Sequence, residues 1–469
     1  MKKITALALG TIFALSTTLP LFAIEENLNN TKVEQKTTKK AFWNKKKKDD
    51  TLKAKVEYIN LDWWNNFSDP HLSDYIARAL DKNHDMKIAT LATQEYYQNY
   101  KIQFGNELPQ ATIGAAPGVT KMPNASESFG AFALPGIVSY EADIFLKNRD
   151  KTKSSQKEYK MSLFDERAAY ISIASAVGAT YFNVVMLNKA VDLQEGINKL
   201  REEIYNLMML KFEQGLISSS DTIRANKALV AGQAELIELK KQREKALNQL
   251  AVLIGESPEN VNTLEFTTLD DLIVENKIPS QISSEIIENR PDYLKAQMGV
   301  EKAGLDVKIA KKEFLPSINL SAIGLFMTNA EGLNFFSTKS MLYALGGAAL
   351  LPIFTGGKKM GNLRLKKATY ERVLQQYLKT NLVAIQEVND SLISARLDWD
   401  KLNKTLLQQN LEEKEYGFNE QKYDQGVISK LDLIQFRENL LSIDKLVAQQ
   451  KVEYLVDYIG LYKACGAQI

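Results

Sequence analysis

The sequence contains little of the chemistry that enzymes and metal proteins use. It has one cysteine and two histidines in 469 residues, and it shows neither a glycine-rich phosphate loop nor a His-x-x-Glu metal spacing. Cys465 cannot form an internal disulfide, and it lies at the wrong end of the chain to be a lipidated N-terminal cysteine. His71 and His84 lie in polar surroundings that are typical of solvated side chains. The composition therefore argues against a catalytic centre, a metal site and a cofactor.

An excess of charge of one sign is also missing. The 59 Lys and Arg residues and 57 Asp and Glu residues leave a formal net charge of +2, which argues against a nucleic-acid partner. The one basic cluster, Lys45 to Lys48, lies in a polar stretch from Glu25 to Lys55. We interpret this stretch as part of a solvated, disordered leader over residues 24–56.

Long apolar runs are absent after the N-terminal segment. Lys2 and Lys3 precede an apolar run from Ile4 to Phe22, and the small residue Ala23 follows it, which predicts a signal peptide over residues 1–23. A membrane-spanning helix is the alternative, although Pro20 and several hydroxyl residues interrupt the run. No later stretch has the roughly 18 uninterrupted apolar residues that a spanning helix needs. The mature chain therefore either remains soluble or enters a membrane as strands.

Proline is absent from two long parts of the chain, between Pro135 and Pro258 and after Pro352. Because helix interiors exclude proline, we predict nearly continuous helices over residues 148–212 and 358–422, each about 100 Å long at about 1.5 Å per residue. Apolar residues from Leu374 to Leu406 alternate at spacings of three and four, which is typical of a heptad seam. An ordinary coiled coil would show the same seam.

The chain repeats one pattern at a spacing of roughly 210 residues. Leu108 and Pro109 match Leu315 and Pro316, Ile144 and Phe145 match Ile353 and Phe354, and KFEQGLISSSDTIRANKAL from Lys211 matches KYDQGVISKLDLIQFRENL from Lys422. We therefore predict two structural repeats, residues 57–270 and 271–469. Each contains a helix, two strands and a long helical hairpin.

Alternating residues predict strands over 110–121 and 130–146 in the first repeat, and over 316–328 and 341–354 in the second. Ile318, Leu320 and Ala322 share one face, and Ser317, Asn319 and Ser321 share the other. A strand between lipid and a wet lumen needs these two faces, although a soluble sandwich alternates in a similar way. Four strands leave edges that lipid cannot satisfy, so several chains must associate to close a barrel. Gly356 and Gly357 permit a tight strand-to-helix corner.

These motifs resemble the outer-membrane factor family, the channel proteins typified by the TolC and OprM exit ducts. The resemblance covers nearly the whole mature chain. Its motifs are WWNNFSDPHLSDYIARALDKNHDMKIA from Trp63, YEADIF from Tyr140, LPIFTGG from Leu351, and the paired hairpin tips GLISSSD and GVISKLD. The first motif is similar to the opening helix of the drug-efflux branch. Members of that branch commonly carry a lipidated N-terminal cysteine, whereas here Ala23 is followed by Ile24.

The resemblance implies a mainly α protein with membrane β-barrel strands. A homotrimer would form a long α-helical hairpin tube in the periplasm, and each subunit would add four strands to one shared barrel in the outer membrane. It implies the exit duct of a tripartite efflux system, fed with drugs or other small molecules by an inner-membrane pump and a periplasmic adaptor. A type I protein secretion duct is the alternative. A periplasmic coiled-coil adaptor is a further one, but an adaptor has one hairpin inserted in a β-rich chain, and this chain has two.

The resemblance also implies roles for residues at the two hairpin tips. Gly215, Ser218 and Asp221 in the first hairpin, with Gly426 and Ser429 in the second, are expected to dock the adaptor. Each glycine permits the chain to reverse between two helices. A plain helix-ending glycine is the alternative interpretation.

The pore gate is expected at Asp432, Gln435 and Tyr423. Copies of Asp432 around a narrow pore would form an anionic ring that attracts cations. Gln435 stands where some relatives carry a second aspartate, so the ring is expected to be weaker. Tyr423 matches a tyrosine that tethers the closed state in some relatives, but Ile428 stands where its arginine neighbour would be. The alternative role for Asp432, and for Asp221, is a helix N-terminal cap.

Overall fold

The computed structural model describes residues 63–120, 129–272, 274–275, 278–279, 281–328 and 341–467. The predicted signal peptide and polar leader lie outside the described residues. The helices are α1 (Pro70–Lys82), α2 (His84–Gly105), α3 (Lys147–Glu213), α4 (Ser219–Leu253), α5 (Glu285–Glu288), α6 (Pro291–Lys312), α7 (Lys358–Asp424) and α8 (Lys430–Ala464). The strands are β1 (Gln110–Ile113), β2 (Ala116–Thr120), β3 (Phe129–Ala142), β4 (Ser317–Thr328) and β5 (Met341–Leu350).

The helices predicted over residues 148–212 and 358–422 are present as α3 and α7, and both are uninterrupted. α3 and α7 each run for 67 residues, and the helices that return from them, α4 and α8, each run for 35 residues. At about 1.5 Å per residue the longer pair reach about 100 Å. The two halves of the chain therefore contain hairpins of equal length.

Part of α3 is apolar enough to cross a membrane by length and composition alone. Within the described residues, one 18-residue window of α3 has a mean hydropathy of 1.5, and 67% of that window is buried. Val177, Tyr181 and Phe182 are fully covered by neighbouring protein. The apolar window therefore belongs to the core of the helical bundle.

The strands form one antiparallel sheet in the order β1-β3-β4-β5, with β2 also paired to β3. Val138 on β3 lies opposite Ala322 on β4, and Ala322 lies opposite Leu345 on β5. Ser139 lies opposite Ser321 in the next position. The register thus aligns the apolar faces of the strands with one another and places the small polar side chains of β3 and β4 together on the reverse face.

Three of the predicted strands differ from their sequence-based bounds. The first predicted strand divides into β1 and β2 beside Pro135, which has no N–H to donate to the ladder. β3 ends at Ala142. The next residue, Asp143, belongs to the start of α3, since its carboxylate accepts the N–H groups of Asn148 (3.0 Å) and Arg149 (2.8 Å) in the first turn of that helix. β5 ends at Leu350, two residues before Pro352.

The long helices pack side by side in a row. α3 packs against α4 and α8, and α8 packs against α7, so the order across the two hairpins is α4-α3-α8-α7. Nearer the sheet, the order is α2-α3-α6-α7. α4 and α7 therefore lie at the two ends of the row formed by the hairpins.

An aromatic core fixes the hairpins to the segment that precedes α1. Trp63 is 1% exposed and stacks on Tyr462 of α8 at 5.4 Å between ring centroids. Gly178 of α3 gives this core its close approach, since a Cβ there would lie 2.9 Å from Ile459 Cδ1. Buried Asp69 caps α1 and accepts the Tyr181 hydroxyl at 2.7 Å. This core leaves the hairpin tips as the free ends of long, anchored helices.

Candidate functional site

Both hairpin turns have the same backbone geometry. The Leu216 N–H donates to Lys211 O at 2.9 Å, and the Val427 N–H donates to Lys422 O at 2.8 Å. This six-to-one bond closes each helix in a Schellman motif, which requires a left-handed residue just before the donor. Gly215 and Gly426 supply it with φ of +70° and +74°. The matched sequence segments therefore encode matched turns.

Each turn leads into a capping pair that begins the next helix. Ser429 and Asp432 cap α8, and Ser218 and Asp221 cap α4. Ser429 Oγ donates to Asp432 Oδ2 at 2.7 Å, and Ser218 Oγ donates to Asp221 Oδ2 at 2.8 Å. Each aspartate also accepts the backbone N–H of its serine. The alternative role from the sequence, a helix cap, is thus present at both aspartates.

The capping hydrogen bonds hold both aspartates in the ionised form. The hydroxyl and N–H of Ser429 lower the pKa of Asp432, and Lys211 on the first hairpin lowers it further. Ser218 lowers the pKa of Asp221 in the same way, and Arg224 adds to the effect. Hydrogen bonds to a carboxylate favour its charged form. Asp432 is exposed and negatively charged at the tip, which is compatible with the predicted ring.

The other predicted gate residues are not joined to Asp432 by direct contacts. Gln435 is exposed, and its amide reaches Asn439 at 3.5 Å, one turn further along α8. Tyr423 is half-buried at the end of α7. Within one chain, the structure brings together serine and aspartate at each tip but leaves the three predicted gate residues separate.

Gly356 and Gly357 lie at the corner between β5 and α7, as the sequence suggests. Their φ angles are +57° and +79°, and Gly357 is the N-cap of α7. A side chain at either position would meet open space but would strain the backbone. These residues therefore set the path of the chain rather than line a site.

Charged contacts between the hairpins were not foreseen from the sequence. Arg201 Nε on α3 donates to Glu438 Oε1 on α8 at 2.8 Å, and Lys445 Nζ on α8 donates to Glu235 Oε1 on α4 at 2.6 Å. Lys430 at the start of α8 also pairs with Glu203 of α3. These partners are more than 200 residues apart in sequence, so no local pattern could reveal them.

The described residues contain no group of three or more His, Cys, Asp or Glu residues that could hold a metal ion. Cys465 is fully buried, and burial raises the pKa of its thiol to about 12. A thiol in this state is a poor nucleophile.

Long helical hairpins joined to one open antiparallel sheet define a channel subunit that combines a helical tube with a barrel. The family described as "Outer membrane efflux protein" matches residues 75–256 and 282–467. The chain belongs to this family. Its place is the outer membrane, with the helical hairpins in the periplasm, and it is an efflux channel protein and not an enzyme.

Named relatives and solved structures are similar to this chain over most of its length. The chain is 26% identical over 426 residues to the probable efflux pump outer membrane protein TtgC of Pseudomonas putida, covering 89% of this chain and 87% of the relative. It is 22% identical over 422 residues to the cation efflux system protein CusC of Escherichia coli, covering 88% and 90%. The Campylobacter jejuni CmeC outer membrane channel superposes with a TM-score of 0.79 at 23% identity, covering 94% of each chain. The predicted family and fold class are confirmed.

Proposed function

We propose that this protein is the outer-membrane exit duct of a tripartite efflux system. Copies of the chain form a homotrimeric passive channel. A periplasmic adaptor and an inner-membrane pump deliver drugs or other small molecules to it, and outer-membrane lipid surrounds the barrel. The observation that carries the proposal is the continuity of an open sheet with two helices, α3 and α7, that are each about 100 Å long.

The sheet itself supports association of several chains. In the described residues, β5 pairs only with β4. At the opposite edge of the sheet, β1 and β2 each pair only with β3. Backbone groups on open edges have no hydrogen-bond partner in lipid, where each one costs several kcal/mol. Joining the edges of neighbouring copies closes a barrel and removes that cost. The trimer number comes from the family resemblance.

The names of the relatives favour small molecules over proteins as cargo. They include a toluene efflux protein, a cation efflux protein and a pyoverdine export protein. Cargoes so different in chemistry suit a duct that selects mainly by width and charge, with the pump making most of the choice. Type I protein secretion stays as the second candidate.

The hairpin tips carry the proposed adaptor contact and gate. The turns at Gly215 and Gly426 lie at the far ends of the hairpins, with exposed Ser218 and Ser429 and half-buried Asp221 beside them. Copies of Asp432 form the proposed cation-attracting ring, and Gln435 and Tyr423 are the other proposed gate residues. Its exposure and its lowered pKa support this assignment.

The proposed domain organisation is a signal peptide over residues 1–23, a leader over 24–56, and repeats over 57–270 and 271–469. The equal hairpin lengths and the identical turns support the duplication. N-terminal sequencing of the mature protein tests the first boundary, since processing after Ala23 leaves Ile24 first.

Deleting the gene tests the function. We expect higher drug susceptibility and greater retention of a fluorescent efflux substrate, both reversed by the wild-type gene on a plasmid. Secretion of proteins into the medium should not change. Loss of a secreted protein with unchanged drug susceptibility would instead support the type I secretion duct.

A further inference from the structure

Each strand-to-helix corner exposes a pair of apolar residues. Ile144 and Phe145 lie between β3 and α3, and Ile353 and Phe354 occupy the matching place between β5 and α7. Ile144 is 63% exposed and Ile353 is 91% exposed. We call these four residues the apolar corners. Neighbouring apolar side chains that a single chain leaves exposed mark a contact with a protein or a membrane.

The strand pairing indicates that Ile353 continues the apolar side of the sheet. Leu345 on β5 lies opposite Ala322 on the apolar face of β4. Ile353 is eight residues after Leu345, and the chain from the end of β5 to Ile353 forms neither a helix nor a turn. Residues an even number apart share one face of an extended chain. The apolar face of the sheet therefore extends beyond β5 toward the helices.

The helix turns next to the sheet carry an excess of exposed positive charge. The 11 residues nearest the sheet are 147–157 in α3, 302–312 in α6 and 358–368 in α7. All seven exposed charged side chains in these ranges are basic. At about 1.5 Å per residue, these turns reach about 15 Å from the helix ends. Five of the seven define what we call the basic collar: Arg149, Lys153, Lys308, Arg364 and Lys367.

Further segments of the chain cover one side of the helix row. Phe67, which precedes α1, packs on Phe182 of α3 at 5.2 Å between ring centroids. Arg396 of α7 donates to Pro279 O, in the segment between α4 and α5, at 3.0 Å. A second layer of protein inside a tube would obstruct it. The covered side is therefore the outer side of the proposed channel.

The basic collar residues of α3 lie on this outer side. Tyr181 and Phe182 of α3 both contact the covering segments, since the Tyr181 hydroxyl donates to Asp69 and the Phe182 ring packs on Phe67. At 3.6 residues per turn, Arg149 and Lys153 point between the directions of Tyr181 and Phe182.

The basic collar residues of α7 share the outer side. At 3.6 residues per turn, Lys367 points within about 20° of the direction of Arg396, and Arg364 within about 40°. Because Arg396 reaches the covering segment, both collar residues face away from the interior of the tube.

Lys308 of α6 lies beside the collar residues of α3. It is seven residues after Glu301 and therefore shares a face of α6 with it. Glu301 forms an ion pair with Lys157, which is one helical turn after Lys153 on α3. The α3 and α6 parts of the basic collar are thus neighbours.

The chain does not neutralise the basic collar by itself. Within the described residues, no collar side chain forms an ion pair with an acidic side chain. Acidic residues in the same turns already have partners: Asp150 pairs with Lys312 at 2.6 Å, and Asp306 pairs with Lys302 at 3.0 Å. An anionic ligand at the collar would therefore meet little competition from carboxylates of the chain.

We propose that the apolar corners and the basic collar bind anionic phospholipids in the periplasmic leaflet of the outer membrane. The apolar corners enter the acyl region, and the basic collar binds the phosphate groups. The inference rests on the proposed trimeric channel and adds a lipid ligand with its site.

The order of chemistry along the chain matches the order of layers in a bilayer leaflet. The apolar face of the sheet comes first, the apolar corners follow, and the basic collar comes last. Headgroups add about 5–8 Å to each side of the hydrocarbon core, and the long side chains of Lys and Arg extend toward them. Anionic lipid attracts cations within a Debye length of about 8–10 Å. A soluble anion or an acidic protein would account for the cations but not for the apolar corners.

Lipid retention by the purified protein tests the proposal. The wild-type trimer is mixed with equal amounts of phosphatidylglycerol and phosphatidylcholine in detergent micelles, freed of unbound micelles by gel filtration, and extracted for lipid counting. We expect at least about threefold more phosphatidylglycerol than phosphatidylcholine at about 50 mM salt. The ratio should approach one at about 500 mM salt, because salt screens the attraction.

Three substitutions together, Arg149→Gln, Lys153→Gln and Arg364→Gln, should remove most of the enrichment in phosphatidylglycerol. The matched control carries Lys227→Gln, Lys404→Gln and Lys414→Gln, which remove the same charge from exposed positions on the hairpins. The control should retain the lipid ratio of the wild type. An equal loss in the control would show a general charge effect and overturn the basic collar as the site.

The remaining outcomes decide between ligands. Equal retention of both lipids by the wild type overturns the inference, and normal drug export in the same strain leaves the proposed function standing. Displacement of phosphatidylglycerol by inorganic phosphate overturns a lipid ligand in favour of a free anion. An acidic protein that co-purifies with the wild type in place of the lipid overturns it in favour of a protein partner. Absence of any wild-type trimer overturns both proposals. The salt series needs no substitution, so it decides even where the variant fails to assemble.

Fluorescence gives an independent readout for the apolar corners. Emission from Ile353→Trp, measured against the wild type in phosphatidylglycerol vesicles, should be quenched when the acyl chains are brominated. The control Leu407→Trp is at an exposed position about 80 Å further along α7 and should not be quenched. Unquenched emission from Ile353→Trp would refute insertion of the apolar corners into the acyl region.

Discussion

Ser429 and Asp432 hydrogen-bond each other in both directions at the start of α8. The Asp432 N–H donates to Ser429 Oγ at 3.2 Å, and the Ser429 N–H donates to Asp432 Oδ2 at 3.1 Å. Ser218 and Asp221 form the corresponding pair at the start of α4. Because the two caps are alike, any property found only at Asp432 cannot come from capping. Asp221 is therefore the natural control for Asp432.

Asp432→Ala and Asp221→Ala should both lower thermal stability, because loss of a capping side chain costs about 1 kcal/mol. Only Asp432→Ala should also reduce cation selectivity and block by divalent ions, because only Asp432 is proposed to face the pore. Planar-bilayer recordings of the reversal potential in a salt gradient measure the difference. Equal selectivity in the two variants and the wild type would leave Asp432 as a cap and the gate unassigned.

Replacing Gly215 and Gly426 by Val should abolish export while trimers persist. A β-branched residue is strained at the positive φ of these turns, and the resulting movement would disturb the adaptor contact. Asn tolerates the left-handed conformation, so Gly215→Asn and Gly426→Asn should retain more export. Adaptor co-purification and drug susceptibility are the measurements. Unchanged export in the valine variants would count against docking at the tips.

Arg201 and Glu438 should couple the two hairpins energetically. Their side chains are 23% and 13% exposed, so water screens the pair less than a surface ion pair. A double-mutant cycle with Arg201→Ala and Glu438→Ala should give a coupling energy of about 1–2 kcal/mol in thermal unfolding. The exposed pair Lys241 and Glu238, which lie one turn apart on α4, should give a value near zero. A coupling equal to that of this control would show that the contact does not hold the hairpins together.

Asp457 should make the α7–α8 hairpin less stable as pH rises. Burial and the neighbouring carboxyl of Asp398 raise the pKa of Asp457 to about 7, with Glu453 adding to the effect and Lys401 opposing it. The folded protein therefore holds a proton that the unfolded chain releases near pH 4. This stabilising contribution is complete below about pH 4 and is lost as pH rises through about 7.

Asp457→Asn should remove the loss of stability that the wild type shows as pH rises through about 7. Its melting temperature relative to wild type should be higher at pH 8 than at pH 5, whereas the exposed control Asp400→Asn should show no such difference. Thermal melts at the two pH values make the comparison. A pH dependence shared by wild type and Asp457→Asn would refute the role of the carboxyl pair.

Local signals account for what could be predicted from the sequence. The absence of proline indicated the first long helix, and the turn motif at Gly215 marked its end. The predicted end at residue 212 is one residue before Glu213, where α3 ends. Strand ends were less accurate. The apolar residues Ile144 and Ile353 extend the sequence pattern, but the backbone leaves the sheet earlier, where Asp143 binds the first turn of α3.

Contacts between residues far apart in the chain could not be predicted from the sequence. Arg201 and Glu438 meet across 237 residues, and nothing near either residue indicates the other. The cap at Asp432 follows from Ser-x-x-Asp spacing, whereas its position relative to a pore depends on other copies of the chain.

Native mass spectrometry of the protein extracted from the outer-membrane fraction tests the central claim, that copies of this chain close into a trimeric outer-membrane channel. The account predicts one species with the mass of three mature chains. A stable monomer or dimer from that fraction, or a protein found only in the soluble periplasm, would contradict the account.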